Sequence, residues 1–304
     1  MSRSDAALPP KHLLLALVVV AIWGSNFVVI KFALAQLPPL LFAALRFSLA
    51  VLPAIVFLPR PAVPWRNLAA YGVLIGVGQF ALLYLAIRSE ISPGLASLVV
   101  QTQVLFTLLL AMRLAHEKVQ GFQWLALACA AAGIGVIGLH SDGSTTVLGL
   151  LMILTAAFAW ACANIVGKRA GQVNMLAYMV WTSVFAVPPL LALSLLVEGP
   201  TAIWRGLQAA DAATWAAVVW QSLGNTLFGY GVWGWLLARH PAATIVPMAL
   251  LVPVFGMSSA ALLLGEPLPA WKLIAAALVM SGLALNLLWP LWLLWRSRRF
   301  RPKS

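Results

Sequence analysis

The chemistry open to this 304-residue chain depends on where its polar groups fall, because 63% of the sequence is hydrophobic and only 9% is charged. The seven acids are Asp5, Glu90, Glu117, Asp142, Glu198, Asp211 and Glu266, and each sits in a tail, a link or near the end of an apolar block. A carboxylate at the centre of an apolar span is costly and is kept mainly for function, commonly to couple protons or sodium ions. Its absence favours movement of a solute down its own gradient, by facilitated release or exchange. Hydrolytic chemistry needs clustered His, Asp or Glu, or a nucleophile beside a base. Ser258 and Ser259 have no evident base, so no catalytic residue, metal or other cofactor is expected.

What the apolar blocks do contain is neutral hydrogen-bonding and aromatic groups, suited to a small zwitterionic or uncharged polar molecule. Trp23, Asn26, Phe27 and Ile30 recur at i, i+3, i+4 and i+7 and share one helix face. Asn26 either lines a cavity or bonds to a neighbouring helix, where such bonds contribute about 0.6–2 kcal/mol. Trp160 and Asn164 repeat the aromatic–amide pairing at i, i+4. Gln79 and Tyr84 fall in a third block, and Gln101, Thr102 and Gln103 in a fourth. Gln101 and Gln103 point about 200° apart on a regular helix, so at most one faces the centre, and Gln101 is the choice. Gln221, Asn225 and Phe228 have the spacing of one face, with Tyr230 following. The candidate substrate-binding set is therefore Trp23, Asn26, Gln79, Tyr84, Gln101, Trp160, Asn164, Asn225 and Tyr230. Pro247 and Pro253 lack backbone donors inside a block and are candidate hinges. Arg46 lies about 10 Å from the nearer end of its block, within reach of the headgroups by snorkelling, which favours a structural anchor over a carboxylate-binding or gating role.

These residues must be positioned by membrane helices. The apolar material falls into ten blocks, at 12–32, 39–59, 67–88, 94–114, 122–140, 148–169, 174–197, 213–237, 242–264 and 270–295. Each is near the roughly 20 residues that span about 30 Å of hydrocarbon. The net charge of +12 comes from 19 Lys and Arg against seven acids, and its distribution sets an orientation. With the N-terminus cytoplasmic, fourteen cations lie inside, including Arg296, Arg298, Arg299, Arg301 and Lys303. Lys31, Arg88, Arg205 and Lys272 lie outside and Arg46 lies within a span. Both termini are thus expected in the cytoplasm, and the charge needs no nucleic-acid partner.

The chain also repeats itself. Trp23 and Lys31 are eight residues apart, as are Trp160 and Lys168; Glu117 and Gly133 are 16 apart, as are Glu266 and Gly282. Two halves of five spans must enter the bilayer with opposite polarity, the inverted-repeat device of secondary transporters. The expected divisions are a tail at 1–11, repeats at 12–140 and 148–295, and a basic tail at 296–304. Glu117 and Glu266 are expected to be helix-end partners of nearby cations. Gly72-x-x-x-Gly76 and Gly133-x-Gly135-x-x-Gly138 are expected to be sites of close helix packing.

The segments Ile22-Trp23-Gly24-Ser25-Asn26-Phe27 and Pro38-Pro39-Leu40-Leu41-Phe42-Ala43-Ala44-Leu45-Arg46-Phe47, with the paired Glu117 and Glu266, resemble the EamA family of the drug/metabolite transporter superfamily. The resemblance runs from about residue 12 to 290. It implies an all-α fold of ten helices as two inverted repeats around a central cavity, formed mainly by the first, third, fourth, sixth, eighth and ninth spans. The sequence is most similar to bacterial exporters of aromatic amino acids or cysteine-pathway metabolites, which implies an inner-membrane protein with an amino-acid-like substrate. Nothing in the sequence fixes an oligomeric state.

Overall fold

The computed structural model describes residues 8–115, 120–140 and 145–299, so Glu117 and the chain beyond 299 lie outside the described residues. Apart from one isolated bridge between Ile91 and Thr145, the regular structure described is helical. In chain order the helices are α1 (Pro10–Ala33), α2 (Pro39–Ala54), α3 (Trp65–Ser89), α4 (Pro93–Leu114), α5 (Gly121–Leu139) and α6 (Val147–Lys168). Then follow α7 (175–198), α8 (Gly199–Ala209), α9 (212–239), α10 (Ala242–Leu264) and α11 (Ala270–Arg299). Eight described stretches are long and apolar enough to cross a bilayer, the one starting at Met175 running on into α8; α2 is apolar but shorter. The chain is a multi-pass membrane protein.

Two elements differ from the sequence-based expectation. The second block was expected to run to 59, but α2 stops at Ala54. Pro53 removes a backbone donor, and Pro59 and Pro61 disfavour helix in the residues before them. The link after α7 contains a helix of its own. Gly199 adopts φ 79°, a left-handed conformation open to glycine, and turns the chain from α7 into α8. Trp204 on α8 is exposed and Gly206 packs against Pro38.

The packing follows the repeat. Taking α1–α5 as one half and α6, α7, α9, α10 and α11 as the other, α1 packs on α10 as α6 packs on α4, and α3 on α6 as α9 on α1. The pairs α2–α7, α4–α10 and α5–α11 map onto themselves. Irregular windings are shared too. α3 has a π-helical stretch at Leu74–Ala81 and its counterpart α9 has one at Trp220–Phe228. α4 has a 3₁₀ turn at Val100–Thr102 and its counterpart α10 has one at Val246–Leu250, which contains Pro247. Such windings inside long helices mark sites of function or strain.

Glycines set the closest crossings. A Cβ on Gly24 would fall 2.5 Å from the Val252 carbonyl oxygen of α10, and one on Gly72 would fall 2.1 Å from that of Thr182 on α7. Gly76 likewise abuts Ala186, and Gly133 abuts Val279 and the Ala275 carbonyl. Gly135 has nothing within 4 Å and Gly138 makes only an ordinary contact with Leu150, so one glycine of the second motif carries its packing role.

At the end of the bundle opposite the N-terminus, polar groups cap helices across the fold. Lys31 Nζ donates to the carbonyls of Ile87 and Arg88, both at 2.9 Å, at the end of α3. Glu198 accepts from the Leu40 and Leu41 amides at the start of α2, at 2.6 and 3.1 Å. Glu266 takes the Gly94 amide at 3.0 Å, the Ser92 hydroxyl, and Lys272 at 2.9 Å. It is the helix-end partner of a cation that the sequence led us to expect. Asp211 caps α9 through the Thr214 amide at 2.8 Å and accepts from Gln36 Nε2 at 3.0 Å. These bonds, the Thr214 amide foremost, stabilise the charged carboxylate and hold its pKa below the ordinary value. A depressed carboxylate pKa gives stability that is present above the unfolded pKa and lost as pH falls through the folded one. The melting temperature of the wild type over Asp211→Asn is therefore expected to be higher at neutral pH, and the gap to close as pH drops below about 4. A constant gap would show that Asp211 is not held in this way.

Candidate functional site

Buried polar side chains converge where α1, α2, α3 and α9 meet, and Arg46 is at the centre. Its Nη1 donates to Tyr84 Oη and its Nη2 to Thr226 Oγ1, both at 2.9 Å. Tyr84 Oη donates to Gln221 Oε1 at 3.3 Å, and Gln221 Nε2 donates to Asn26 Oδ1 at 2.7 Å. Thr226 Oγ1 donates to the Gln221 carbonyl at 2.9 Å, and Ser222 Oγ donates to the Arg46 carbonyl at 2.8 Å. The guanidinium carbon lies 4.1 Å from the Phe80 ring centroid and 4.8 Å from that of Phe47. Phe42 stacks on Tyr84 at 5.0 Å.

Arg46 does not snorkel. It is 1% exposed, because two hydroxyls and two aromatic faces hold the head inward. The four described acids, Glu90, Glu198, Asp211 and Glu266, are all bonded elsewhere. The buried charge thus has no carboxylate partner among the described residues. Its Nε is a buried donor without a hydrogen-bond partner among the described residues. An unpaired buried donor on a charged group is costly, and a buried charge is ordinarily paired.

Beside Arg46 is a tight chamber bounded by Phe47, Tyr71, Ile75, Phe80, Thr182, Ser183 and Tyr230. Its free space is about 10 Å³, near the minimum for one water molecule. A second cavity of about 730 Å³ opens between the C-terminal ends of α6 and α9 and the start of α7, at the end of the bundle that carries the described N-terminus. Tyr71 lines both spaces. Its ring meets that of Tyr178 at 4.9 Å, and Tyr178 Oη donates to Asn67 Oδ1 at 2.8 Å. Tyr71 thus stands between a vestibule and the arginine chamber, with the hydrogen-bonded Tyr178 packed against it.

The other residues named from the sequence fall into three groups. Asn26 and Tyr84 are in the Arg46 network, and Tyr230 lines the chamber. Trp23 adjoins it: Nε1 donates to the Asn225 carbonyl at 3.2 Å and the ring meets Tyr230 at 5.5 Å. Asn164 lines the vestibule and donates to Gln103 Oε1 at 2.7 Å, so Gln103 is the member of its pair bonded across to α6. Trp160 packs, partly buried, against the core. Gln79, Gln101 and the Asn225 side chain are buried but take no part in the Arg46 network. Pro247 opens the 3₁₀ turn of α10, and Pro253 is buried two residues into the helix that follows. Phe228 does not share a face with Gln221 and Asn225: it is 40% exposed while they are buried, because the π-helical turns of α9 shift the angular step between residues. The sequence reading passed over Tyr71, Tyr178, Phe80, Thr182 and Ser183, whose importance comes from contacts between distant helices.

The model of the EamA-like transporter family matches this chain twice, over residues 10–139 and 147–288. A Salmonella typhimurium protein named "Probable amino-acid metabolite efflux pump" is 42% identical over 296 residues, covering 94% of this chain and 95% of that one. A protein of the same name from Escherichia coli K12 is 38% identical over 292 residues, with 94% and 95% covered. A crystal structure with 20% identity superposes over the whole of both chains with a TM-score of 0.62, a likeness of fold. With both halves matched by one family model and the helices packed in repeat-related pairs, this chain is a member of the EamA-like transporter family.

Proposed function

We propose that this protein exports amino acids or closely related metabolites across a bacterial inner membrane, and that Arg46 holds the substrate carboxylate. The observation that carries the reading is the buried guanidinium, without a described carboxylate partner, beside a chamber between the two halves. An arginine fork matches a carboxylate bidentately, and a bound carboxylate would supply the missing counter-charge and the missing acceptor for Nε. Thr182, Ser183 and Tyr230 offer hydroxyls to the rest of a small polar solute, while Phe47, Phe80 and Ile75 suit an apolar side chain.

In this reading the vestibule faces the cytoplasm, as the charge distribution favours, and the polar caps that tie α1 to α3 and α7 to α2 close the outer end. The chamber is too small for an amino acid as it stands. Entry therefore requires Tyr71 and Tyr178 to part, and release requires the outer caps to open. The irregular turns of α3, α4, α9 and α10 are where the halves would bend, which supports alternating access. No described carboxylate lies near the chamber to couple a proton or sodium ion, so the substrate gradient is the driving force. Two inverted halves, with α2 and α9 spanning the bilayer despite their shorter or more polar sequence, complete the ten-helix reading.

The experiment is flux of radiolabelled neutral amino acids in proteoliposomes, each beside its amide and its decarboxylated amine, with and without an imposed proton gradient. Saturable flux of acids alone, independent of the proton gradient, is the expected result. Flux of the amines at the same rate would overturn the role of Arg46, and flux that required a proton gradient would overturn the driving force. No flux of any solute in the panel would overturn the amino-acid reading itself.

A further inference from the structure

We propose that a groove between the first turn of α3 and the last turn of α6 binds the phosphate head of an anionic phospholipid. The groove has a volume of about 550 Å³ and is lined by Pro64, Arg66, Asn67, Ala70, Val166 and Arg169. Arg66 and Arg169 are exposed, and neither side chain makes a hydrogen bond or ion pair with a described residue. Arg60 lies 3.8 Å over the ring of Trp65, the residue before Arg66. The four described acids are committed to other partners at the opposite end of the bundle. Two arginines lining one groove, with no described acid to satisfy them, suit a phosphate, which accepts from the forks of two arginines.

The surroundings favour a lipid over free phosphate. On α3, Arg66, Ala70 and Val73 are exposed at i, i+4 and i+7; on α6, Leu151, Thr155, Phe158 and Arg169 are exposed along one face. Both stripes are mostly apolar and run from the groove along packed neighbours, giving acyl chains a path that inorganic phosphate would not use. Trp65, half exposed and next to Arg66 in the chain, is the kind of residue that settles at the headgroup level. Occupancy would reach the transport path. Asn67, in the groove wall, donates to the Val166 carbonyl at 2.9 Å and accepts from Tyr178, which meets Tyr71 edge to face. A lipid clamped across α3 and α6 braces the junction that holds the tyrosine pair.

The test compares wild type with the Arg66→Ala/Arg169→Ala double variant, neither residue belonging to the Arg46 site. Bound phosphatidylglycerol is counted by native mass spectrometry, and thermal stability is read in phosphatidylcholine with and without phosphatidylglycerol, and with inorganic phosphate or glycerol phosphate alone. Wild type is expected to retain phosphatidylglycerol and gain stability from it. The double variant, stable in phosphatidylcholine, is expected to bind phosphatidylglycerol at least about tenfold more weakly, the loss of one charge-assisted contact. Equal retention by both proteins would overturn the site. Equal stabilisation by soluble phosphate would overturn the lipid as its occupant.

Discussion

Replacing Arg46 by alanine is expected to abolish saturable flux while leaving a folded, monodisperse protein. A hydrogen bond to a charged group contributes about 1.5–3 kcal/mol, so losing even one bond to a substrate carboxylate weakens binding roughly 10- to 150-fold. The fold should tolerate the change, because the groups left behind keep partners: Tyr84 still bonds Gln221, and Thr226 still bonds the Gln221 carbonyl. The variant also removes a buried charge that no described acid balances, so its stability is not expected to fall in proportion to its activity. Arg46→Lys separates charge from shape. Lysine keeps the charge but loses the planar fork, and flux is expected to be partly retained with a raised half-saturation concentration. Undiminished flux in Arg46→Ala, at wild-type half-saturation, would return Arg46 to a purely structural role.

A large effect on stability is expected at Gly24. A side chain there meets Val252 O at 2.5 Å, Phe255 Cβ at 2.5 Å and the Gly256 amide at 2.9 Å, so it collides with the backbone of α10, which cannot rotate aside. Gly256 is itself pressed on Ser97 of α4, so the strain cannot be passed on by a small slide of α10. Overpacking of this kind costs about 1–3 kcal/mol, and more where backbone is struck. Gly24→Val is therefore expected to lower the detergent-solubilised melting temperature sharply or prevent recovery of folded protein. Gly135→Val, at a position with nothing within 4 Å, is the matched control and is expected to leave the melting temperature unchanged. Similar losses in both variants would mean that valine harms these helices through the glycine backbone itself rather than through the crossing.

How much of this was legible in the sequence depended on how regular each helix is. The face of Trp23, Asn26, Phe27 and Ile30 was readable because α1 keeps one helical period, and Asn26 and Phe27 are buried as the spacing requires. The same reasoning failed at Phe228, because nothing in the residue types announces the π-helical turns that rotate it outward. Arg46 was conspicuous as a cation inside an apolar block, but its depth along α2 suggested an escape to the headgroups. What holds it inward comes from Tyr84 and Thr226, 38 and 180 residues away along the chain. Tyr71 and Tyr178 were illegible for a related reason. Each lies near the end of its helix, where tyrosine is ordinary, and only their meeting at 4.9 Å links them. Glu266 and the packing glycines were easier, since their roles follow from position at a helix end or from size alone.

The pair α5–α11 has an ancestry written into it. Gly133 of α5 faces Ala275 and Val279 of α11, and Gly282 of α11 faces Ala126 and Ala130 of α5. The matched positions 126 and 275, 130 and 279, and 133 and 282 are each separated by 149 residues. Residue i touching j while j touches i is the rule of an isologous contact between identical subunits. A five-helix ancestor able to insert either way up could have formed this seam by meeting its own upside-down copy, and fusing the two genes would have preserved it. The seam in the modern chain thus has the symmetry of a homodimer interface, held inside one polypeptide.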